Sequence, residues 1–315
     1  MGIIKKPSEI EPKATISILI YGQPGLGKTT LGCSAPSPVL FDYDGGVQRV
    51  NAAHQVPTVQ IRSWEDTITA MNEIREEESA GNIVCKTIVI DTVGKMLDFM
   101  SDYIIRTNPK MAMGNGALSL KGYGERKKMF SDFIKSVIIS GKSVVFIAHE
   151  REEKQGEETK KRPEIGGSSA GDLIKELDLR GYMSAYGKDR TISFNPTDAY
   201  YAKNTCNLPE TEKIKVIVDA DGNAIGKNDY LTTVIARYVA FQKEQQAKKQ
   251  EYQELVDAFS DMADEAKDCE ELNEVFQKYA TQEHIFNSRL VIGQKLEARA
   301  KQLKCKFNKT SKKYE

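Results

Sequence analysis

The chain has 315 residues, of which 45 are basic, 45 acidic and three histidine, so its formal net charge is zero. Such a balance announces no nucleic-acid partner, and any basic surface has to be local. No run of about 18 apolar residues is present, which excludes a membrane-spanning helix, and the length suits about two domains with a full core. The opening Met1-Gly2-Ile3-Ile4-Lys5-Lys6-Pro7 has no signal-peptide apolar segment, and Lys6 stands where a myristoylation signal wants Ser or Thr. Cys33, Cys85, Cys206, Cys269 and Cys305 are odd in number and scattered, with no C-x-x-C pair. We therefore expect free thiols in a reducing cytoplasm, without zinc or disulfides.

Ile16 to Tyr21 is apolar and β-branched, as a buried strand should be. Gly22-Gln23-Pro24-Gly25-Leu26-Gly27-Lys28-Thr29 follows and reads G-x-x-x-x-G-K-[ST], the Walker A loop. Its glycines let backbone N–H groups turn inward around a phosphate chain. Lys28 supplies a charge to the terminal phosphates, and the Thr29 hydroxyl is placed to ligate Mg²⁺. Thr29-Thr30-Leu31 then begins a helix, with Thr30 still within reach of the anion.

Pro38 to Asp42 is a short strand ending in acid, and Asp42-Tyr43-Asp44-Gly45-Gly46 sets two carboxylates around one residue. Hydrolysis needs a carboxylate that orients or deprotonates water, and Asp44 is the candidate. Val59 to Ile61 reads as another strand, and Ser63 to Glu78 as a helix with Trp64, Ile68, Met71 and Ile74 on its face. Thr87-Ile88-Val89-Ile90-Asp91 fits Walker B, an apolar strand whose final acid, Asp91, can hold Mg²⁺.

Residues 107–124 lack a clean pattern and read as a long loop; Phe130 to Ile139 is helical, and Ser143 to Ala148 is a strand. His149 ends that strand, where it can hydrogen-bond a γ-phosphate. A second long loop, 151–171, is heavily charged and ends Gly166-Gly167-Ser168-Ser169-Ala170-Gly171. Thr191 to Phe194, Ala199 to Ala202 and Ile214 to Val218 look like antiparallel or edge strands. From about residue 237 the chain turns to Lys, Gln, Glu and Ala. A stripe from Tyr252 to Ala266, a start at Asp268-Cys269-Glu270-Glu271 and a stretch from Ser288 to Leu303 predict three helices before a basic, frayed tail.

The expected fold is therefore α/β. A P-loop core over residues 1–236 has a mainly parallel sheet flanked by helices, and residues 237–315 form a small helical appendage.

These elements together resemble the RecA-like ATPase core over roughly residues 14–236. The closest likeness is to phage-encoded RecA-like nucleotide-binding proteins of the single-strand annealing recombinase group. The resemblance implies ATP and Mg²⁺ as ligands, with Asp44 activating water and His149 sensing the γ-phosphate. Tyr201-Ala202-Lys203-Asn204-Thr205 resembles an element that reaches a neighbouring subunit's ATP; Lys203 matches, and Thr205 stands where Arg is usual. It also implies a homo-oligomer with ATP at its subunit interfaces, acting in the cytoplasm, the host's if the chain is phage-encoded. The two long loops match the family's DNA-binding loops, with Lys121, Tyr123 and Arg126 on the first and Arg151, Lys160, Lys161 and Arg162 on the second.

The first functional reading is thus an ATPase that binds single-stranded DNA, promotes annealing or recombination, and works beside a single-strand-binding protein and away from membranes. Glu152, Glu153, Glu157 and Glu158 weigh against it, because they nearly neutralise the second loop. The alternative is an NTP-dependent switch or accessory protein that acts on a protein partner. A helicase-type motor shares the core but wants Arg at 205, and a nucleotide kinase wants an Arg-rich lid.

Overall fold

The computed structural model describes residues 5, 7–155, 158–166 and 177–315. They form two compact units: Lys13–Val239, and the described part of Met1–Pro12 together with Ala240–Glu315. Residues 7–12 thus group with the C-terminal helices, apart from the sheet to which a 1–236 core assigns them.

The first unit is built on one sheet. Its strands are β1 (Ser17–Gly22), β2 (Pro38–Asp42), β3 (Thr58–Gln60), β4 (Thr87–Asp91), β5 (Ser143–Gln155), β6 (Glu158–Pro163), β7 (Leu179–Tyr186), β8 (Asp189–Ser193) and β9 (Thr211–Ile214). They lie in the order β3-β2-β4-β5-β1-β7-β8-β9, with β6 paired to β5 alone. From β3 to β7 every neighbour is parallel; β8, β9 and β6 are antiparallel. All of β1 and β4 is buried, which is why both read as unbroken apolar runs instead of alternating ones. The register sets Gly22 opposite His149 and Asp42 opposite Asp91, so four chemistry-bearing positions meet at the carboxyl edge of the sheet.

The helices of this unit are α1 (Lys28–Gly32), α2 (Trp64–Ser79), α3 (Val93–Thr107) and α4 (Leu120–Ile139), followed by the start of Tyr230–Glu265. Ser63 caps α2 with a reciprocal Asp66 contact, and Trp64, Thr67, Ala70, Met71 and Ile74 are buried. Ile68, expected on that face, is 46% exposed. It sits about a quarter turn from the face centred on Thr67, Met71 and Ile74.

Helix α3 was not anticipated from sequence, although Met96, Leu97, Met100 and Ile104 bury one face of it. Helix α4 starts ten residues before the expected Phe130, because the Ser119 hydroxyl accepts from Gly122 N–H at 3.2 Å and caps it. Part of the first expected loop is therefore helix.

The second expected loop is in part a β-hairpin: β5 runs on past the sheet and pairs with β6 from Glu150 to Gln155. Residues 156, 157 and 167–171 of that loop lie outside the described residues. Strand β7 was also missed, and the expected strand 214–218 gives way to β9, which ends at Ile214. Ala199 to Ala202 forms no ladder; an isolated bridge at Tyr200 and the Tyr21 hydroxyl, which donates to Tyr201 O at 2.6 Å, help hold the segment.

In the second unit, the end of helix Tyr230–Glu265 and helices Cys269–Thr281 and Ser288–Leu303 share an apolar core that includes Phe259, Leu272, Ile292 and Leu296. Cys269 and Cys305 are joined by a disulfide with Cα atoms 5.9 Å apart, against the expectation of free thiols only. Scattered spacing hid this pair because helix packing, not sequence proximity, brings the two together. Cys33, Cys85 and Cys206 are free and buried. The tail is not frayed. Phe307–Asn308 pairs with Lys313–Tyr314, and Tyr314 is buried on the helical core. Asn273 fixes Tyr314 by accepting from its N–H at 2.7 Å and donating to its carbonyl at 2.8 Å.

Candidate functional site

The loop from Gly22 to Thr29 leaves β1 at the sheet's carboxyl edge and enters α1. Gly27 has φ 82, a left-handed conformation in which any Cβ would be strained. This turn delivers Lys28, whose side chain is drawn back over the loop. Its ammonium donates to Gly22 O at 2.9 Å and Gln23 O at 2.7 Å. Burial lowers the Lys28 pKa, and the charges of Asp91 and Glu150 oppose that shift. A buried ammonium held by two carbonyls is a charge awaiting an anion, and phosphate oxygens are stronger acceptors than amide oxygens.

Thr29 Oγ1 donates to Asp91 Oδ2 at 2.6 Å. Burial pushes Asp91 up to about 6; the Thr29 hydrogen bond counters this, and the nearby Asp42 and Asp44 charges add to it. Beside the pair lies Gly46, where a Cβ would stand 2.7 Å from Asp91 Oδ2 and 3.3 Å from Thr29 Oγ1. The missing side chain keeps room around two hard oxygen donors, a set that fits Mg²⁺ completed by phosphate and water.

Asp42 and Asp44 have separate duties. The Asp42 carboxylate accepts from the backbone N–H groups of Asp44, Gly46 and Val47 at 3.2, 2.8 and 3.1 Å and so builds the turn. Asp44 is half-buried, and its charge acts on both Asp91 and His149. Burial, then the Lys28 charge, lower the His149 pKa and keep the imidazole neutral near pH 7. Its Nδ1 is buried with no hydrogen-bond partner among the described residues. Phosphate-loop residues, Asp91, Asp44 and His149 are thus gathered at one edge.

Other expected residues lie elsewhere. The Lys203 ammonium donates to Leu177 O, and the Thr205 hydroxyl donates to Asp178 O at 3.0 Å, so both turn onto their own subunit. Lys121 and Tyr123 are exposed on α4, not on a loop. Arg126 is 6% exposed: it donates to Ser101 Oγ at 3.0 Å and Gly166 O at 3.1 Å and lies 4.9 Å from the Tyr123 ring centre. Two of its guanidinium nitrogens are thus engaged within the chain.

On the hairpin, Lys161 pairs with Glu152 at 2.5 Å and Glu150 at 3.2 Å, and Arg162 pairs with Glu153. Lys160 lies 4.4 Å from the Tyr201 ring centre. Arg151 stands opposite Arg162 in the ladder. Of the hairpin cations expected to track a nucleic-acid backbone, Lys161 and Arg162 are matched by the chain's own acids, while Arg151 and Lys160 have no ion pair among the described residues.

Sequence reasoning missed two neighbours of the site. Glu150 follows His149; its side chain is 7% exposed, and Oε2 has no partner among the described residues. Arg190 of β8 places Nη1 3.1 Å from where a Cβ on Gly27 would stand. The position of Glu150, next to a strand-ending His, was readable; the contact of Arg190 depends on an antiparallel return that no local pattern announces.

The fold and this loop define a P-loop nucleoside-triphosphate-binding protein. Residues 14–206 match the model of the AAA domain family (AAA_24), and the chain belongs to that family. No curated protein matches the sequence at a significant level. Among solved structures, the flagellar accessory protein FlaH from Methanocaldococcus jannaschii is similar, with 9% identity and a TM-score of 0.32 over 57% of this chain and 76% of that one. No helix among the described residues is long and apolar enough to cross a membrane.

Proposed function

We propose that the protein binds and slowly hydrolyses ATP with Mg²⁺, and that the β5–β6 hairpin reports its nucleotide state to a protein partner. The observation that supports this is the continuity of β5. The strand carries His149 opposite Gly22, then the buried Glu150, and runs on into the hairpin through the Glu150–Lys161 pair.

Lys28 and the loop N–H groups hold the phosphate chain. Thr29 and Asp91 would hold Mg²⁺, which when bound would supply positive charge beside the phosphate oxygens. Asp44 orients the attacking water and takes up its proton. His149 donates one ring N–H toward the γ-phosphate, and its unpaired nitrogen gives it freedom to turn as that group comes and goes. The short Asp44 side chain and the absence of an arginine at 205 are the reasons turnover should be slow.

The test has two parts. Calorimetry should show ATP·Mg²⁺ binding by the parent and its loss in Lys28→Ala. Hydrogen exchange should then show slower exchange in residues 150–163 when ATP is added. Unchanged exchange would remove the hairpin from the mechanism while leaving ATP binding in place.

A second reading, binding of single-stranded DNA with annealing in phage DNA metabolism, has one observation in its favour. Lys121 and Tyr123 are both exposed in the first turn of α4, a cation and a stacking surface two residues apart in sequence. The switch reading is preferred because Arg126 is buried and Lys161 and Arg162 are paired with the chain's own acids, which leaves Arg151 and Lys160 as the proposed hairpin contacts with no ion pair among the described residues.

A further inference from the structure

The helical unit sorts its charges along the chain. Around the turn that joins helix Tyr230–Glu265 to helix Cys269–Thr281 stand Asp261, Asp264, Glu265, Glu270, Glu271 and Glu274, all exposed. At the C-terminal hairpin stand Lys304, Lys306, Lys309, Lys312 and Lys313, also exposed. The disulfide brings the two stretches side by side. Cys269 lies between Asp268 and Glu270, Cys305 between Lys304 and Lys306, and their Cα atoms are 5.9 Å apart. Even so, none of these exposed acids or lysines has an ion-pair partner among the described residues.

Helix chemistry does not account for the acids. Asp264 and Glu265 occupy the last turn of their helix, where the macrodipole is itself negative, and no base stands in that turn. Arg299 reaches the end of that helix, but its guanidinium donates to Ala266 O at 2.8 and 3.1 Å and to Gln302 Oε1 at 2.9 Å, not to a carboxylate. The lysines, for their part, do not sit on a loose tail. The disulfide and the two Asn273 bonds to Tyr314 fix the hairpin on the helical core, and Phe307, between Lys306 and Lys309 in sequence, is 43% exposed. A fixed basic face that carries an apolar residue, beside a fixed acidic one, is complementary to itself. Under a two-fold rotation each patch of one copy meets the opposite patch of the other.

We propose that the helical unit is a homodimer contact, in which the acidic turn of each copy docks on the basic hairpin of a second copy of this chain. The adjoining, opposite charges that go unmatched within one copy are matched between two. None of these residues belongs to the phosphate-binding edge, so the proposal stands or falls apart from the nucleotide reading.

Sedimentation velocity of the whole chain over a concentration series, at about 50 mM and about 500 mM salt, tests it. The parent should dimerise at low salt, with a dissociation constant that rises at least about tenfold at high salt. Two triple variants, Asp264→Lys with Glu270→Lys and Glu274→Lys, and Lys306→Glu with Lys309→Glu and Lys313→Glu, should each stay monomeric at both salts. Their equimolar mixture should form a one-to-one dimer, because a copy with two basic patches then meets a copy with two acidic ones. All six side chains are exposed, and unfolding temperatures with a thiol assay check that each variant is folded with its disulfide closed. The parent's salt response needs no substitution and is read whether or not a variant folds. A parent that is monomeric throughout at low salt overturns the inference. So does a dimer that either triple variant retains, or a mixture of folded variants that stays monomeric.

Discussion

Asp91 shows how a ligand-ready residue costs stability before the ligand comes. The folded protein holds its proton up to about pH 6, whereas the unfolded chain releases it near the ordinary 3.8. Below both values the group is neutral in both states; as pH rises between them the unfolded state gains, so the folded protein loses stability. At about 1.4 kcal/mol for each unit, the cost in the nucleotide-free protein reaches about 2–3 kcal/mol by neutral pH. Asp91→Asn keeps an oxygen acceptor for Thr29 but not the charge. It should therefore match the parent's stability at pH 4, exceed it by about 2–3 kcal/mol at pH 7.5, and lose Mg²⁺-dependent ATP binding. Urea unfolding at the two pH values, without nucleotide, measures this; an equal difference at both would show that Asp91 is not the titrating group.

The neighbouring acids divide in the same way. Asp42 is tied to three backbone N–H groups while Asp44 is not, so Asp44→Asn should lower turnover at least tenfold and leave ATP affinity nearly unchanged. Steady-state ATPase rates set beside calorimetry distinguish this from a general loss of the turn, which would lower both.

Among the elements, strands buried on both faces were the most legible. Ile16 to Tyr21 and Thr87 to Asp91 carry their burial in their composition, and their acids or glycines mark the carboxyl ends. Ser288 to Leu303 was readable by its helical spacing, and that helix has the expected bounds. What escaped depends on partners distant in sequence. β7 owes its place to pairing with β1, and the hairpin owes its shape to cross-strand pairs of opposite charge that read locally as a charged loop. The glycines at 122 and 124 argued for a loop, yet the Ser119 cap and the burial of Phe130, Phe133 and Val137 further along outweigh them.

The disulfide was invisible for the same reason, and it has a measurable weight. It closes a separation of 36 residues in a unit with a small core of its own. Replacing Cys269 and Cys305 together by Ser should destabilise the helical unit by about 2–4 kcal/mol. Calorimetric unfolding with and without a reductant checks this: the parent's transition should drop on reduction, and the double variant's should not move.

Over the whole molecule, charge decides between the two functional readings. The chain balances 45 basic against 45 acidic residues, and the hairpin repeats that balance locally through Lys161 with Glu150 and Glu152, and Arg162 with Glu153. A DNA phosphate that binds Lys161 or Arg162 must displace a carboxylate already in contact, so at those two cations little counterion release is left to drive association. Single-strand binding should accordingly be weak near 150 mM salt, and its logarithmic salt slope should correspond to about two or three phosphates. Freeing the cations should reverse this: Glu152→Gln with Glu153→Gln should tighten binding and steepen the slope by about one unit or more. Fluorescence anisotropy of a labelled oligonucleotide between 50 and 200 mM salt, with and without ATP, gives both quantities. A parent that already binds tightly, with a slope near that of the freed variant, would mean that its ion pairs open readily in solution. The single-strand reading would then displace the protein-partner switch.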